Sequence, residues 1–180
     1  DAFYAMDRAD FITDESKDFA YINSPLSIGH SQTISQPIVV AFMIELLGVK
    51  KGNTVLDIGS GSGYTTALLS KMTGEEGKVL GVERVPELVS FGNNNLKKYD
   101  ISNAKIILAS NKLGCEGEIF DRILVSASAS EFPKELLSQL KDGARLVMPI
   151  RNSIFLIEKE EDEIKTKEYT GFSFVPLIYE

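Results

Sequence analysis

A three-layer αβα sandwich around a mostly parallel sheet is the fold class that this 180-residue sequence predicts, and three observations carry the prediction. Short apolar runs alternate with helix-length stretches from residue 53 to residue 149, an order that imposes crossover connections and a sheet covered on both faces. The first of those runs, Thr54-Val55-Leu56-Asp57-Ile58, leads into three alternating glycines, Gly59, Gly61 and Gly63, and then into a helical pattern. Strand, tight turn and helix in that order form the unit that binds an adenosine-containing cofactor at the edge of such a sheet. Glu83 closes the second apolar run twenty residues after Gly63, where a carboxylate can accept both hydroxyls of a ribose.

Taken in order, residues 1–35 are polar and irregular and read as a lid or substrate segment, with Phe11, Phe19 and Tyr21 as anchors onto the domain. The chain opens at Asp1 inside a helix-like pattern, Ala2-Phe3-Tyr4-Ala5-Met6, so earlier residues are expected. A helix is predicted over 36–47, with Ile38, Phe42 and Leu46 on one face, Ser35 as its N-cap and Pro37 in its first turn. The core, 36–150, then runs strand 53–57, helix 64–73, strand 78–83, helix 86–98, strand 104–109, strand 121–126, helix 133–140 and strand 144–149. In the last part, 151–180, Ser153–Glu158 and Ile164–Tyr169 flank an acidic turn and predict an antiparallel hairpin, followed by an extended segment from Phe172 to Tyr179. The three parts make one domain.

The net charge of -7 argues against broad contact with nucleic acid or an anionic membrane. No apolar run is long enough to span a bilayer, and no signal peptide is visible. Cys115 stands alone, which points to a reducing, cytoplasmic compartment. With one His and one Cys, a transition-metal site is not expected.

The glycine turn departs from the dinucleotide fingerprint in two ways. Tyr64 stands where glycine or alanine is required, and Asp57 sits two residues before the first glycine, where it would repel a pyrophosphate. A cationic cofactor suits that acid, and S-adenosylmethionine carries an ammonium and a sulfonium. Around the carboxyl ends of the strands converge Gly59-Ser60-Gly61-Ser62-Gly63, Glu83-Arg84, the loop 109–118 and the small-residue run Ser126-Ala127-Ser128-Ala129-Ser130. That last run either brings backbone N–H groups close to a substrate carboxylate or merely eases a turn.

Ser24-Pro25-Leu26-Ser27-Ile28-Gly29, followed by Gln32-Thr33-Ile34-Ser35-Gln36-Pro37, resembles the signature loop of the protein-L-isoaspartate O-methyltransferases. The likeness extends over nearly the whole chain, through Leu56 to Tyr64, Glu83 to Leu88, Gly143 to Val147 and Phe174 to Leu177. It implies a class I S-adenosylmethionine-dependent methyltransferase that acts on the α-carboxylate of isoaspartyl residues in proteins or peptides, as a monomer. It also implies site residues. Ser35 takes the active position. The cofactor falls to Gln32, Thr33, Ser35, Asp57, Gly59, Ser60, Gly61, Gly63, Glu83, Arg84, Ser110 and Asn111, and the substrate to Ile28, His30, Ser126, Ala127 and Ser128.

Three positions depart from the family pattern. Ser31 replaces a usual glycine, Ser110 replaces an aspartate that accepts from the adenine amino group, and Ser130 replaces a proline. They keep two alternatives in view: a carboxyl methyltransferase for another acid, and a non-catalytic adaptor that binds the cofactor. A tRNA base methyltransferase shares the glycine turn, but its RNA-facing surface would be basic.

Overall fold

The computed structural model describes residues 1–161 and 163–178. Two short strands, β1 (Leu26–Gly29) and β2 (Gln32–Ile34), pair antiparallel as a separate hairpin. The remaining strands form one sheet: β3 (Thr54–Ile58), β4 (Lys78–Glu83), β5 (Ala104–Leu108), β6 (Phe120–Val125), β7 (Leu140–Ile150), β8 (Ser153–Glu160) and β9 (Glu163–Thr170). Their spatial order is β5-β4-β3-β6-β7-β8-β9. β5 through β7 run parallel, and β8 and β9 add antiparallel, as the tail pattern predicts. The chain moves outward from β3 to β5 and then returns to β6, so the order reverses between β3 and β6.

Side chains alternate across the sheet and divide the core in two. Val55, Val79, Ile106, Leu124 and Val147 face α2 (Pro37–Leu47), α3 (Tyr64–Thr73) and α4 (Pro86–Lys98), with the short α1 (Ala2–Ala5) packed on α3. Leu56, Ile58, Ile123, Val125 and Leu146 face the opposite way, toward Leu113, Phe132, Leu136 and Leu177. That second face is closed by a crossover loop, a short helix and the tail. The helix expected over 133–140 is a 3-10 helix, Lys134–Gln139, and β7 begins directly after it.

α2 begins at Pro37, and its N-cap is Gln36 rather than Ser35. The cap bond comes from far along the chain, where Asn23 Oδ1 accepts from the Ile38 N–H at 3.2 Å. Ile38 points outward instead of into the core; Val39, Val40, Met43, Ile44 and Leu47 form the buried face. Phe11 is the anchor expected of it, fully buried, with its ring centroid 5.2 Å from Tyr64 and 5.7 Å from Tyr99. Phe19 and Tyr21 are not anchors: both are exposed, and the buried apolar positions around the two 3-10 turns Arg8–Phe11 and Asp14–Phe19 are Phe11 and the residues that follow each turn, Ile12 and Ala20. Tyr21 instead donates its hydroxyl to Asp7 at 2.7 Å.

The region read as a polar loop before α2 is the β1–β2 hairpin. Its two-residue turn, His30-Ser31, has φ of +53° and +58°, the positive pair a type I′ turn demands. Glycine is preferred there because a side chain in this region costs about 1–2 kcal/mol. Ser31→Gly should therefore raise stability by about 0.5–1 kcal/mol, after its larger unfolded-state entropy is set against the relieved strain. Thermal unfolding should show a midpoint about 2 °C higher; a lower midpoint would mean that the serine side chain holds the turn.

Candidate active site

The glycine turn lies at the carboxyl ends of β3 and β6, where the strand order reverses and where open α/β sheets bind their ligands. Gly59, Gly61 and Gly63 have φ of +78°, +52° and +87°. A Cβ at Gly63 would also meet the Gly92 carbonyl at 3.1 Å, so this glycine brings α3 against α4 and does not line the cleft. A Cβ at Gly61 would meet Ile28 Cδ1 at 3.0 Å, which shows how closely the hairpin sits on the turn.

Four of the five amides of this turn are spent inside the protein; the Ser62 N–H has no acceptor among the described residues. Gly59 and Ser60 N–H both donate to the Val82 carbonyl, at 2.9 and 3.2 Å, and Gly63 N–H donates to Ser60 O at 2.8 Å. Gly61 N–H donates to Glu83 Oε2 at 2.9 Å, and the second Glu83 oxygen takes the Val85 N–H at 3.0 Å. A phosphate-binding turn keeps such N–H groups free for the anion. This one keeps only the Ser62 N–H, and it presents instead a buried carboxylate held in place from two sides, each oxygen with a lone pair left over.

Asp57 lies beneath the turn, fully buried and outside the cleft lining. Its Oδ2 accepts the Thr66 hydroxyl at 2.7 Å, and its Oδ1 has no partner among the described residues. Burial pushes its carboxyl up to about 7; the Thr66 bond opposes that shift and the Glu83 charge adds to it. Ser60, 3% exposed, lines the cleft with a hydroxyl that also lacks a partner among the described residues.

Most of the residues expected at the site meet around one cleft, whose empty space, open mouth included, is about 1170 Å³. Ile28, Gln32, Thr33 and Ser35 form the wall given by the hairpin and the residue run after it. Gly59, Ser60 and Gly61 form the floor, with Glu83 and Arg84 at the end of β4. Ser110, Ser126 and Ala127 close the other side. Asn111 is exposed beyond the rim, and His30 lines a separate shallow pocket with Asp14 and Glu87. Ser128 belongs to the fold: its N–H and C=O pair with Val175 O and Leu177 N at 2.8 Å, and its hydroxyl donates to Arg151 O at 3.0 Å. Ser126 N–H continues the ladder onto Ile58 O, so among residues 126–129 only the Ala127 amide has no acceptor in the described residues.

Ser110 does not present a free hydroxyl. It accepts from Lys112 N–H at 3.1 Å and donates to Lys112 O at 3.2 Å, closing a small turn on itself. Sequence reasoning missed Met43 of α2, Leu113, and the tail residues Val175, Pro176 and Leu177, all of which line the cleft. Their composition carries no signal, because apolar residues in a helix and a tail read as core.

S-adenosylmethionine fits these residues. Glu83 supplies fixed acceptors for a ribose, Val82 and Leu113 supply apolar wall, and Ser60 offers an unused hydroxyl. A ribose-facing carboxylate beside a glycine turn, on a mostly parallel sheet with antiparallel C-terminal strands, defines a class I S-adenosylmethionine-dependent methyltransferase, the class of the structures that this chain superposes on. Comparison with known proteins then narrows the class: the family model "Protein-L-isoaspartate(D-aspartate) O-methyltransferase (PCMT)" matches residues 1–180, and the chain belongs to that family, whose members are protein-repair methyltransferases. A protein-L-isoaspartate O-methyltransferase of Methanopyrus kandleri is 42% identical over 187 residues, covering 100% of this chain and 83% of its own. One from Pyrococcus horikoshii is 38% identical, covering 99% and 84%. Among solved structures, a Plasmodium falciparum protein described as a protein-L-isoaspartate O-methyltransferase, in complex with S-adenosyl-L-homocysteine, superposes with a TM-score of 0.87. It is 31% identical, and the match covers 98% of this chain and 88% of that one.

Proposed function

We propose that this chain moves the methyl group of S-adenosylmethionine to the α-carboxylate of L-isoaspartyl residues in damaged proteins or peptides, with Ser35 orienting that carboxylate. One observation supports the role of Ser35. Its hydroxyl was a candidate helix cap, yet Gln36 takes the cap position, and Ser35 lines the cleft with its side chain unused by the described residues. Ala127, whose amide is also unused, lines the same cleft and offers a second donor to a carboxylate.

A substrate carboxylate has an ordinary pKa near ~3.5 and is ionised at neutral pH, so no general base is required. The protein's tasks are to strip water from the anion and to hold it in line behind the carbon it attacks. Ile28, Ile34 and Met43 supply the dry wall for the first task. Ser35 and Ala127 supply directed donors for the second. When bound, the cofactor supplies the electrophilic methyl group; Glu83, Ser60, Gln32 and Thr33 are the residues that would hold it. The lone Cys115 supports a cytoplasmic setting.

A hydrogen bond to a charged group is worth about 1.5–3 kcal/mol, so Ser35→Ala should lower turnover about 10- to 150-fold. Calorimetric affinity for S-adenosylmethionine should stay within about threefold. Unchanged turnover with weaker cofactor binding would make Ser35 a cofactor residue and contradict the assignment.

A further inference from the structure

Resting on that reading of the cleft, the geometry around the glycine turn points to Asp57 as a charge-selecting residue: we propose that it is held neutral in the free protein and gives up its proton when the cationic cofactor binds. Its position is unusual for an acid. The side chain is wholly out of solvent, one oxygen is bonded to the Thr66 hydroxyl at 2.7 Å, and the other has no partner among the described residues. Burial without a cation disfavours the ionised form, so below about pH 7 the carboxyl stays protonated.

The groups that bear on it come from two elements. α3 contributes the hydroxyls of Thr66 and Thr65, and β4 contributes Glu83, whose negative charge opposes ionisation. β6, the strand on the other side, places Leu124 opposite it. No lysine, arginine or histidine among the described residues is felt at this carboxyl. The missing counter-charge is what an ammonium or sulfonium in the cleft above Gly59–Gly61 would supply. An opposite charge at about 4–6 Å lowers a carboxyl pKa by about 1–3 units.

The sign follows from linkage. The free protein binds the proton and the complex does not, so binding strengthens as pH rises toward the value of the free carboxyl, about 7, and levels off above it. With a fall of 1–3 units on binding, about half to three-quarters of a proton leaves at pH 6.5, and affinity rises about four- to sixteenfold from pH 5.5 to 7. The α-amino group of the cofactor, with an ordinary value near ~7.7–8.0, stays charged throughout that window.

The experiment is calorimetric titration of the wild-type protein with S-adenosylmethionine at pH 6.5, in two buffers of different ionisation enthalpy, and its repetition from pH 5.5 to 7. The inference expects buffer-dependent heats equivalent to the proton release above. Asp57→Asn keeps an oxygen to accept from Thr66; circular dichroism checks its fold, and the variant separates this carboxyl from His30, the only imidazole in the chain. In that variant the release should vanish and the affinity should become flat with pH. Heats that do not depend on the buffer, or a release that survives Asp57→Asn, overturn the inference while leaving the cleft a cofactor site. No binding at any pH overturns both the inference and the reading it rests on.

Discussion

Glu83→Gln should weaken S-adenosylmethionine binding about 30- to 1000-fold. The carboxylate accepts the Gly61 N–H through one oxygen and the Val85 N–H through the other, at 2.9 and 3.0 Å, in a setting only 5% exposed. Glutamine keeps one acceptor and turns the other into an NH2 group that faces a backbone N–H. Two donors then confront each other where water cannot reach them, and the charge-assisted bonds to the ribose are lost as well. A hydrogen bond to a charged group is worth about 1.5–3 kcal/mol, and the expected range corresponds to about 2–4 kcal/mol, more than one weak bond and less than two strong ones. Calorimetric titration reads the effect directly. A loss of less than threefold would mean that the carboxylate serves the turn and not the ligand. The same swap should also loosen the turn itself, visible as faster amide exchange at Gly61 and Val85.

Phe11→Ala should destabilise the protein by about 3–5 kcal/mol, the usual cost of deleting a fully buried phenylalanine. The ring has no solvent exposure and packs against two aromatics at once. Tyr64 is the first residue of α3 and follows Gly63 directly, and Tyr99 donates its hydroxyl to Asp10 at 2.6 Å. The N-terminal segment is thereby pinned to the helix that carries the cofactor turn, and Ile28 of the hairpin is laid over Gly61. In a domain of this size the loss should lower the unfolding midpoint by about 10 °C. A change below about 1 kcal/mol would show that the segment is held by other contacts, such as Met6 and Ile12.

Where local pattern and tertiary context agree, the elements were legible. Helices 64–73 and 86–98 and strand 78–83 appear with the predicted bounds, because glycine or proline marks a start and apolar spacing runs unbroken behind it. The β1–β2 hairpin was not legible. Its turn is His30-Ser31, neither residue of which announces a type I′ turn, and its strands are only four and three residues long. The cap of α2 was misread for a related reason: Ser35 has the right chemistry next to the helix, but Asn23, fifteen residues from Ile38, is where the fold brings the acceptor. Among site residues, those on the turn and at strand ends were readable from the glycines and acids. The assignment of backbone N–H groups was not. Whether an amide at 126–129 is free depends on the tail strand reaching Ser128, a pairing no local pattern foretells. The antiparallel pairing of β8 and β9 agrees with the reading of the tail, but Lys159, Glu160 and Glu163, read as part of its turn, lie in the strands; Asp162 and Tyr179 lie outside the described residues.

The central claim is that the cleft methylates an isoaspartyl carboxylate and leaves the normal aspartyl form alone. Radiolabelled methyl transfer from S-adenosylmethionine, measured on an isoaspartyl peptide and on its aspartyl twin of the same sequence, tests it most directly. The account predicts label on the isoaspartyl peptide and background on the twin. Equal labelling of both peptides, or none on either by a protein that binds the cofactor, would contradict it.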